Sequence, residues 1–505
     1  MQAVSINSTQ PLEGPSYIGQ PAILKLMRPR FSYEPKSQGY HRDAGNTRSE
    51  DYSGPLGFNP VVETFAMPPP APVFWSQQGQ VTGALLCREN TSCIAALNPD
   101  TYQIEATYPG ADDGDVFDMV SMVYMQILDN HVIVPTSERH LVDIERIDDN
   151  STPYFVKRRD IDVTSVVEDG TRIVGIAYDA NGNLWFCTGG FPGVGLPAAD
   201  IAVIGYVDPM DNIHSIQLPG TAVENNFAVS GTNVYLVTGP AGARDTVNAT
   251  ANFYGFRPGP NGVEIVATVP YQAGDGIKKG GVSRGSGSTP SLLGDKYVAF
   301  TDNANEQVNL IVVTQMVNGT GGGDPICTVP LFEPGQSANE NTMVVHWDGG
   351  STYSAVVANF FDAVPIYLNG GDPFGNGSID VETINEEYNN ITQMAPGLTR
   401  IDVDDETKSC SVVWFNKEIR GTISPILSTK TGLLYMATQE NELAHQGSYV
   451  QYGTGIDFDT GKEVFKVRMG AGGSFNYNYQ SPVLTPDGGY GQFVIGGFVK
   501  MKDQN

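Results

Sequence analysis

The chain has 505 residues, 40% of them hydrophobic and 17% charged, with 58 Gly, 33 Pro and a net charge of −27. With 29 basic residues against 56 acidic ones, such a surface repels nucleic acid and anionic membranes, whose phosphates need clustered Lys and Arg. No run approaches the roughly 18 apolar residues of a membrane-spanning helix, so no membrane insertion is expected.

Residues 1–73 are rich in Pro, Ser, Gly and charge and close on Met67-Pro-Pro-Pro-Ala-Pro72. They read as an irregular arm laid over the rest of the chain. From residue 74 onward one phrase recurs: a hydrophobic strand, a short turn, and a strand that ends in an acidic turn. Gly455-Ile-Asp-Phe-Asp-Thr-Gly-Lys-Glu-Val-Phe465 is its clearest copy, and weaker copies start near Ala95, Val142, Ile204, Tyr254, Leu310 and Arg400, with a truncated one near Phe498. Most starts lie about 45–60 residues apart, the period of a β-propeller with one four-stranded blade per repeat. The fold expected is all-β: a single propeller over 74–505 with eight four-stranded blades, or seven if the first and last segments merge.

In chain order the blades are placed at 74–110, 117–160, 170–219, 222–272, 282–333, 342–416, 421–470 and 476–503. The last holds about three strands, so a strand from the arm, at 61–66, is expected to complete it and remove an exposed edge. The sixth is long because of an insertion near 360–393 that carries Gly370-Gly-Asp-Pro-Phe-Gly-Asn-Gly377. Tight turns are legible at Tyr178-Asp-Ala-Asn-Gly-Asn-Leu-Trp185 and Thr485-Pro-Asp-Gly-Gly-Tyr490. The Asp179/Asn181/Asn183 spacing is close to a calcium loop, but its glycine is misplaced and it lacks helical flanks, so it reads as a turn. A structural calcium ion elsewhere stays open, and no metal site is assigned.

Asp457-Phe-Asp-Thr-Gly-Lys-Glu-Val-Phe465 resembles the repeat signature of the quinoprotein-like (PQQ-type) β-propeller superfamily, in which a strand ends in Asp-x-x-Thr-Gly and resumes at an aromatic residue. Phe465 replaces the usual Trp, and Trp414 holds the equivalent place one repeat earlier. Gly285-Ser-Gly-Ser-Thr-Pro-Ser-Leu-Leu-Gly294 and Asn476-Tyr-Asn-Tyr-Gln-Ser-Pro-Val-Leu-Thr-Pro-Asp-Gly488 are similar to blade entries of that group. The resemblance covers about 75–505 and implies the fold rather than an activity. Quinone-dependent members hold their cofactor with adjacent cysteines, a stacking Trp and a calcium site. No cysteines are adjacent here, so no quinone or other cofactor is expected.

Five cysteines leave at least one unpaired. Cys87 and Cys93 flank a short hairpin loop and are expected to form a disulfide, whereas Cys187, Cys327 and Cys410 lie far apart, in or beside strands. Asn-x-Ser/Thr occurs at Asn7, Asn90, Asn150, Asn248, Asn318, Asn376 and Asn390, which favours an extracellular glycoprotein, although the first residues carry no signal-peptide pattern.

In a propeller the loops joining the outer strand of one blade to the inner strand of the next converge on one face near the axis, where ligands bind. Here these entry loops are polar. Glu224-Asn225-Asn226, Lys278-Lys279 with Arg284, Glu340-Asn341 before His346, Lys417 with Arg420, and Asn476-Tyr477-Asn478 each precede an inner strand. Arg284, Arg420 and Lys279 are expected to bind an anionic group, with Asn225, Asn341, Asn476 and Asn478 for hydroxyls. His346 and Tyr477 are candidate proton-transfer groups, and Glu224 and Glu340 a candidate carboxyl pair. His41, in the arm, reaches this mouth only if the arm folds onto it. The function expected is an enzyme, lyase or hydrolase, acting on an oligosaccharide or other small molecule, with an acidic sugar favoured by the arginines. The alternatives are a binding scaffold without catalysis, or an enzyme acting on a small organic metabolite; oligomeric state is not legible.

Overall fold

The computed structural model describes residues 4–504 apart from 69, 89–90, 111–112, 118–121, 150–151, 317–321, 364–383 and 478. The glycine run of the insertion, Asn478 and the acceptor asparagines 90, 150, 318 and 376 lie outside the described residues.

Eight blades of four antiparallel strands follow one another along the chain, one for each expected from the repeat, and two arm strands extend the sheet of blade 7 to six. Blade 1 runs from Pro70–Trp75 to Ile104–Tyr108 and blade 2 from Gln126–Leu128 to Tyr154–Asp162. Blades 3 to 7 begin with Arg172–Tyr178, Ala228–Ser230, Ser291–Leu293, Val344–Trp347 and Ile426–Ser428. In blade 8 the outermost strand is Pro60–Ala66 from the arm, paired in register with Gly497–Asp503. First and last parts of the chain thus share one sheet, which closes the ring and leaves no open edge there.

The acidic turns of the repeat act as local caps. Asp179 accepts from the amides of Asn181 and Asn183 and from the Trp185 indole, the bonds of a tight turn. Asp208 does the same for Met210 and Asn212, and Asp457 for Thr460. Between blades 6 and 7, Trp414 Nε1 donates to the Phe458 carbonyl at 3.0 Å. A side chain at Gly461 would run into the Trp414 ring, so this turn needs glycine for packing as well as for its positive φ.

The arm does more than close the ring. Tyr17–Gly19 adds to the outer strand of blade 7, and Lys25 and Met27 then bond the carbonyls of Thr431 and Thr429 at a turn of that blade. Residues 38–50 enter the hub, where backbone bonds join them to the innermost strands of five blades. Gln38 bridges Ile127, Val229 donates to Ala44, Leu292 to Gly45, Val345 to Thr47 and Leu427 to Arg48. Ser49–Glu50 then lies parallel to Leu427–Ser428. Inner strands of so wide a ring present unpaired backbone groups to the axis, and this loop supplies their partners. The arm is therefore a plug as well as a cover.

The cysteines divide into two bridges and one thiol. Cys87 pairs with Cys93 across the first hairpin, as expected. Cys327 pairs with Cys410, which ties the outer strand of blade 5 to that of blade 6. Cys187 is buried and free. The second bridge was hidden in the sequence because its ends, 83 residues apart, meet only when two blades pack side by side.

Candidate active site in the entry-loop cleft

The entry loops of blades 4 and 5, with the upper turns of blades 3 and 4, enclose a cleft of about 510 Å³. That size suits a small ligand. Its chemistry-bearing walls are Asp200, Glu224, Asp245, Asp275, Ser283 and Arg284.

Glu224 and Glu340 are brought together. Glu224 precedes the inner strand of blade 4 and Glu340 that of blade 6, and the entry loop of blade 5 passes between them. Their buried carboxyl groups lie close enough to interact with each other. Burial raises the pKa of both, and the charge of Glu224 raises Glu340 further. Ser283 Oγ donates to Glu224 Oε2, and Glu340 Oε2 is buried without a hydrogen-bond partner among the described residues. Both shifts favour the protonated form.

The glycines of Lys278-Lys-Gly-Gly-Val-Ser-Arg-Gly-Ser-Gly-Ser-Thr289 make this approach possible. A Cβ on Gly281 would lie 2.7 Å from Glu340 Oε1, and one on Gly287 would lie 2.0 Å from the Asn339 carbonyl. The glycine run is legible in the sequence; the two carboxyls it admits are not.

Asn225 and Asn341 follow the two glutamates and face the plug. Asn225 Oδ1 accepts from Tyr124 Oη at 3.1 Å and from Thr289 Oγ1 at 3.0 Å, and Asn341 Oδ1 accepts from Arg48 Nη2 at 2.6 Å. His41 does fold onto the mouth, from the hub side, with Nε2 2.9 Å from Thr289 Oγ1. Arg48, Tyr124 and Ser283 were missed by sequence reasoning, since none carries a motif and each gains its place from a distant segment.

The basic residues do not assemble into an anion site. Arg284 borders the cleft but pairs with Asp245 and donates to the carbonyls of Thr246 and Gly274. Lys278 donates to the carbonyls of Ala304 and Ser337, and burial lowers it to about 8. Lys279 lies 3.5 Å from Asp362, Lys417 pairs with Glu333, and Arg420 donates to the Met394 carbonyl. With Asp200, Asp245 and Asp275 facing Arg284 as the one basic wall residue among those described, the cleft carries a negative field.

Two candidate proton-transfer groups lie elsewhere. His346 sits at the far side of blade 6, against Phe458 and a small cavity bounded by Arg30, Phe31 and Trp347. Burial, with Arg400 nearby, lowers it to about 4, and it does not line the cleft. Its proximity to Glu340 in sequence is undone by the strand between them. Tyr477 is buried, accepts from the Thr422 amide at 3.3 Å and is pushed up to about 12 by burial, the opposite of an activated phenolate. Asn476 bonds Asn389 at 2.9 Å and is not among the cleft walls.

No family model matches the chain, and no curated protein matches it. Solved structures with similar folds include a quinohemoprotein alcohol dehydrogenase from Pseudomonas putida, 10% identical, with a TM-score of 0.45 over 93% of this chain and 80% of that one. Sqt1 from Saccharomyces cerevisiae is 10% identical, with a TM-score of 0.45 over 87% and 97%. A streptogramin B lyase is 11% identical, with a TM-score of 0.35 over 88% and 98%. The fold of this chain stands on its own sheet topology.

Proposed function

We propose that the chain is an extracellular hydrolase that cleaves an acyl linkage, an ester or lactone, on a carbohydrate bound in the entry-loop cleft. The observation that carries this reading is the pair of buried, interacting carboxyls, of which Glu224 lines that cleft. Glycosidases hold their two carboxyls about 5–9.5 Å apart, on opposite sides of the bond they cleave. Two carboxyls that lie against each other act from one side, which suits addition of water to a carbonyl group.

In this reading the ionised member takes a proton from water as the water oxygen bonds to the carbonyl carbon. The protonated member gives its proton to the carbonyl oxygen. When the tetrahedral intermediate collapses, one of its hydroxyls gives its proton to the ionised member as the carbonyl re-forms, the carbon–oxygen bond to the alcohol breaks, and the protonated member gives its proton to that leaving oxygen. Ser283 orients Glu224 for this role. Asp200, Asp245 and Asp275 offer acceptors for sugar hydroxyls, and their field favours a neutral substrate over an acidic one. The two disulfides support an oxidising compartment.

The test is a substrate panel of neutral carbohydrate esters and lactones beside plain oligosaccharides and uronates. Turnover of the acyl compounds, lowered about 10²–10⁴-fold in Glu224→Gln with the fold intact, is expected. Turnover confined to uronates or glycosides, or none in the wild-type chain, removes the reading.

A further inference from the structure

One continuous run of hydrogen bonds joins the plug to Asn225 and Asn341, the residues next to the carboxyl pair. Arg48 Nη2 lies 2.6 Å from Asn341 Oδ1 and 3.3 Å from His41 Nδ1. His41 Nε2 lies 2.9 Å from Thr289 Oγ1, and Thr289 Oγ1 donates to Asn225 Oδ1 at 3.0 Å. The donors settle the tautomer. Arg48 can only donate, so His41 Nδ1 accepts, and the ring proton sits on Nε2. The Thr289 hydroxyl spends its proton on Asn225 and therefore accepts from His41. The imidazole must be neutral for this order, and burial beside two guanidinium groups holds it so.

The two ends of this run are the residues that directly follow Glu224 and Glu340. Arg48 is 0% exposed and also donates to the Ser424 carbonyl at 3.1 Å, so it is fixed from blade 7 as well. Its guanidinium stands 5.8 Å from the Tyr40 ring, and Tyr40 is itself bonded to the Tyr479 carbonyl. No carboxylate pairs with Arg48 among the described residues; its acceptors are neutral. A buried cation satisfied only by neutral groups is a costly arrangement. Ring closure does not need it, because the backbone bonds of residues 38–50 already join the five inner strands.

We infer that Arg48 and His41 are positioning residues: they set the spacing of Glu224 and Glu340 by gripping Asn341 directly and Asn225 through Thr289, so that the plug governs how closely the two carboxyls approach. This rests on the proposed acid–base role of the pair only for its consequence in catalysis; the spacing itself is read without a substrate.

The experiment is an infrared pH titration of the protonated carboxyl band of the pair, identified by its loss in Glu224→Gln. His41→Leu and Arg48→Met are expected to move that titration toward the ordinary glutamate range by about one pH unit or more, as two carboxyls drift apart. His41→Gln retains a donor and an acceptor and is expected to restore it. Thr289→Val cuts the same run without touching the plug and serves where a plug variant fails to fold. A shift in these variants together with absent hydrolysis in the wild-type chain keeps the positioning role and removes the enzymatic reading. Folded His41→Leu and Thr289→Val proteins that titrate like the wild type overturn the positioning role.

Discussion

Arg48 Nη2 meets Asn341 Oδ1 at 2.6 Å across 293 residues of sequence, and this bond ties the arm to the entry loop of blade 6. Both side chains are buried, so truncation of either leaves polar groups without partners. Arg48→Ala strands Asn341 Oδ1, the Ser424 carbonyl and His41 Nδ1 together. Destabilisation of about 3 kcal/mol or more is expected in denaturant unfolding. A midpoint within error of the wild type contradicts it.

Stability is expected to fall on both sides of a middle pH range. Burial raises Glu224 and Glu340 above the ordinary value of 4.5, so the folded chain keeps protons that the unfolded chain releases. Their contribution is complete below about pH 4.5 and is lost as the pH climbs through the raised values. The histidines shift the other way. Burial lowers His41 well below 6.5 and His346 to about 4, so their contribution is present above 6.5 and is lost as the pH falls toward 4. Unfolding midpoints measured from pH 4 to 9 check both limbs. Glu224→Gln, which stays neutral, is expected to flatten the alkaline decline, and an unchanged slope contradicts the raised carboxyls.

The two disulfides are expected to differ in worth. In the chain-entropy picture a bridge stabilises in proportion to the logarithm of the loop it closes. Cys327 and Cys410 are 83 residues apart and Cys87 and Cys93 only 6. Removal is expected to cost about 4 kcal/mol for the first and about 2 kcal/mol for the second. Thermal unfolding of Cys327→Ser/Cys410→Ser beside Cys87→Ser/Cys93→Ser compares them, and equal losses contradict the ordering.

Gly287 has little tolerance for a side chain. A methyl group there would lie 2.0 Å from the Asn339 carbonyl and 2.9 Å from Glu340 Cα, both backbone atoms that cannot turn aside. Gly287→Ala is expected to push the entry loop of blade 6 away from that of blade 5. The expected outcome is a loss of about 1–3 kcal/mol and a separated carboxyl pair. Unfolding midpoint and the protonated-carboxyl band report the two effects separately.

The ring was legible because its repeat is written in local chemistry. Acidic residues such as Asp179, Asp208 and Asp457 cap turns by bonding amides two to four residues away, so their spacing appears directly in the sequence. The site was only half legible for the converse reason. Recurrence of Glu-Asn at 224–225 and 340–341 marked two entry loops, but nothing local told which loops touch. Lys279, Arg420 and Arg284 drew attention as scarce cations, yet each meets an acceptor on its own side of the ring. His346 was misplaced because four residues of inner strand carry a side chain from the mouth toward the far face. The plug was invisible, since residues 38–50 have no repeat and bond through their backbone.

Deletion of the arm separates its two structural roles. Residues 60–66 supply the outer strand of blade 8, while residues 38–50 fill the hub, and they are joined by only nine residues, 51–59. Removing residues 1–66 takes away both, exposing the edge of Gly497–Asp503 and the inner strands of five blades at once. No cooperative unfolding transition is expected from that protein. Replacing only 38–50 by a Gly-Ser linker keeps the closing strand and isolates the plug. The ring is then expected to fold, with a lower midpoint, faster proteolysis at the entry loops, and a carboxyl pair that titrates closer to ordinary glutamates. Loss of Tyr33, whose hydroxyl donates to the carbonyls of Leu292 at 2.8 Å and Gly294 at 2.9 Å, is the milder control. Tyr33→Phe leaves residues 38–50 in place and is expected to lower the midpoint without moving the titration. If the linker protein and Tyr33→Phe match in both measurements, the hub segment contributes packing alone.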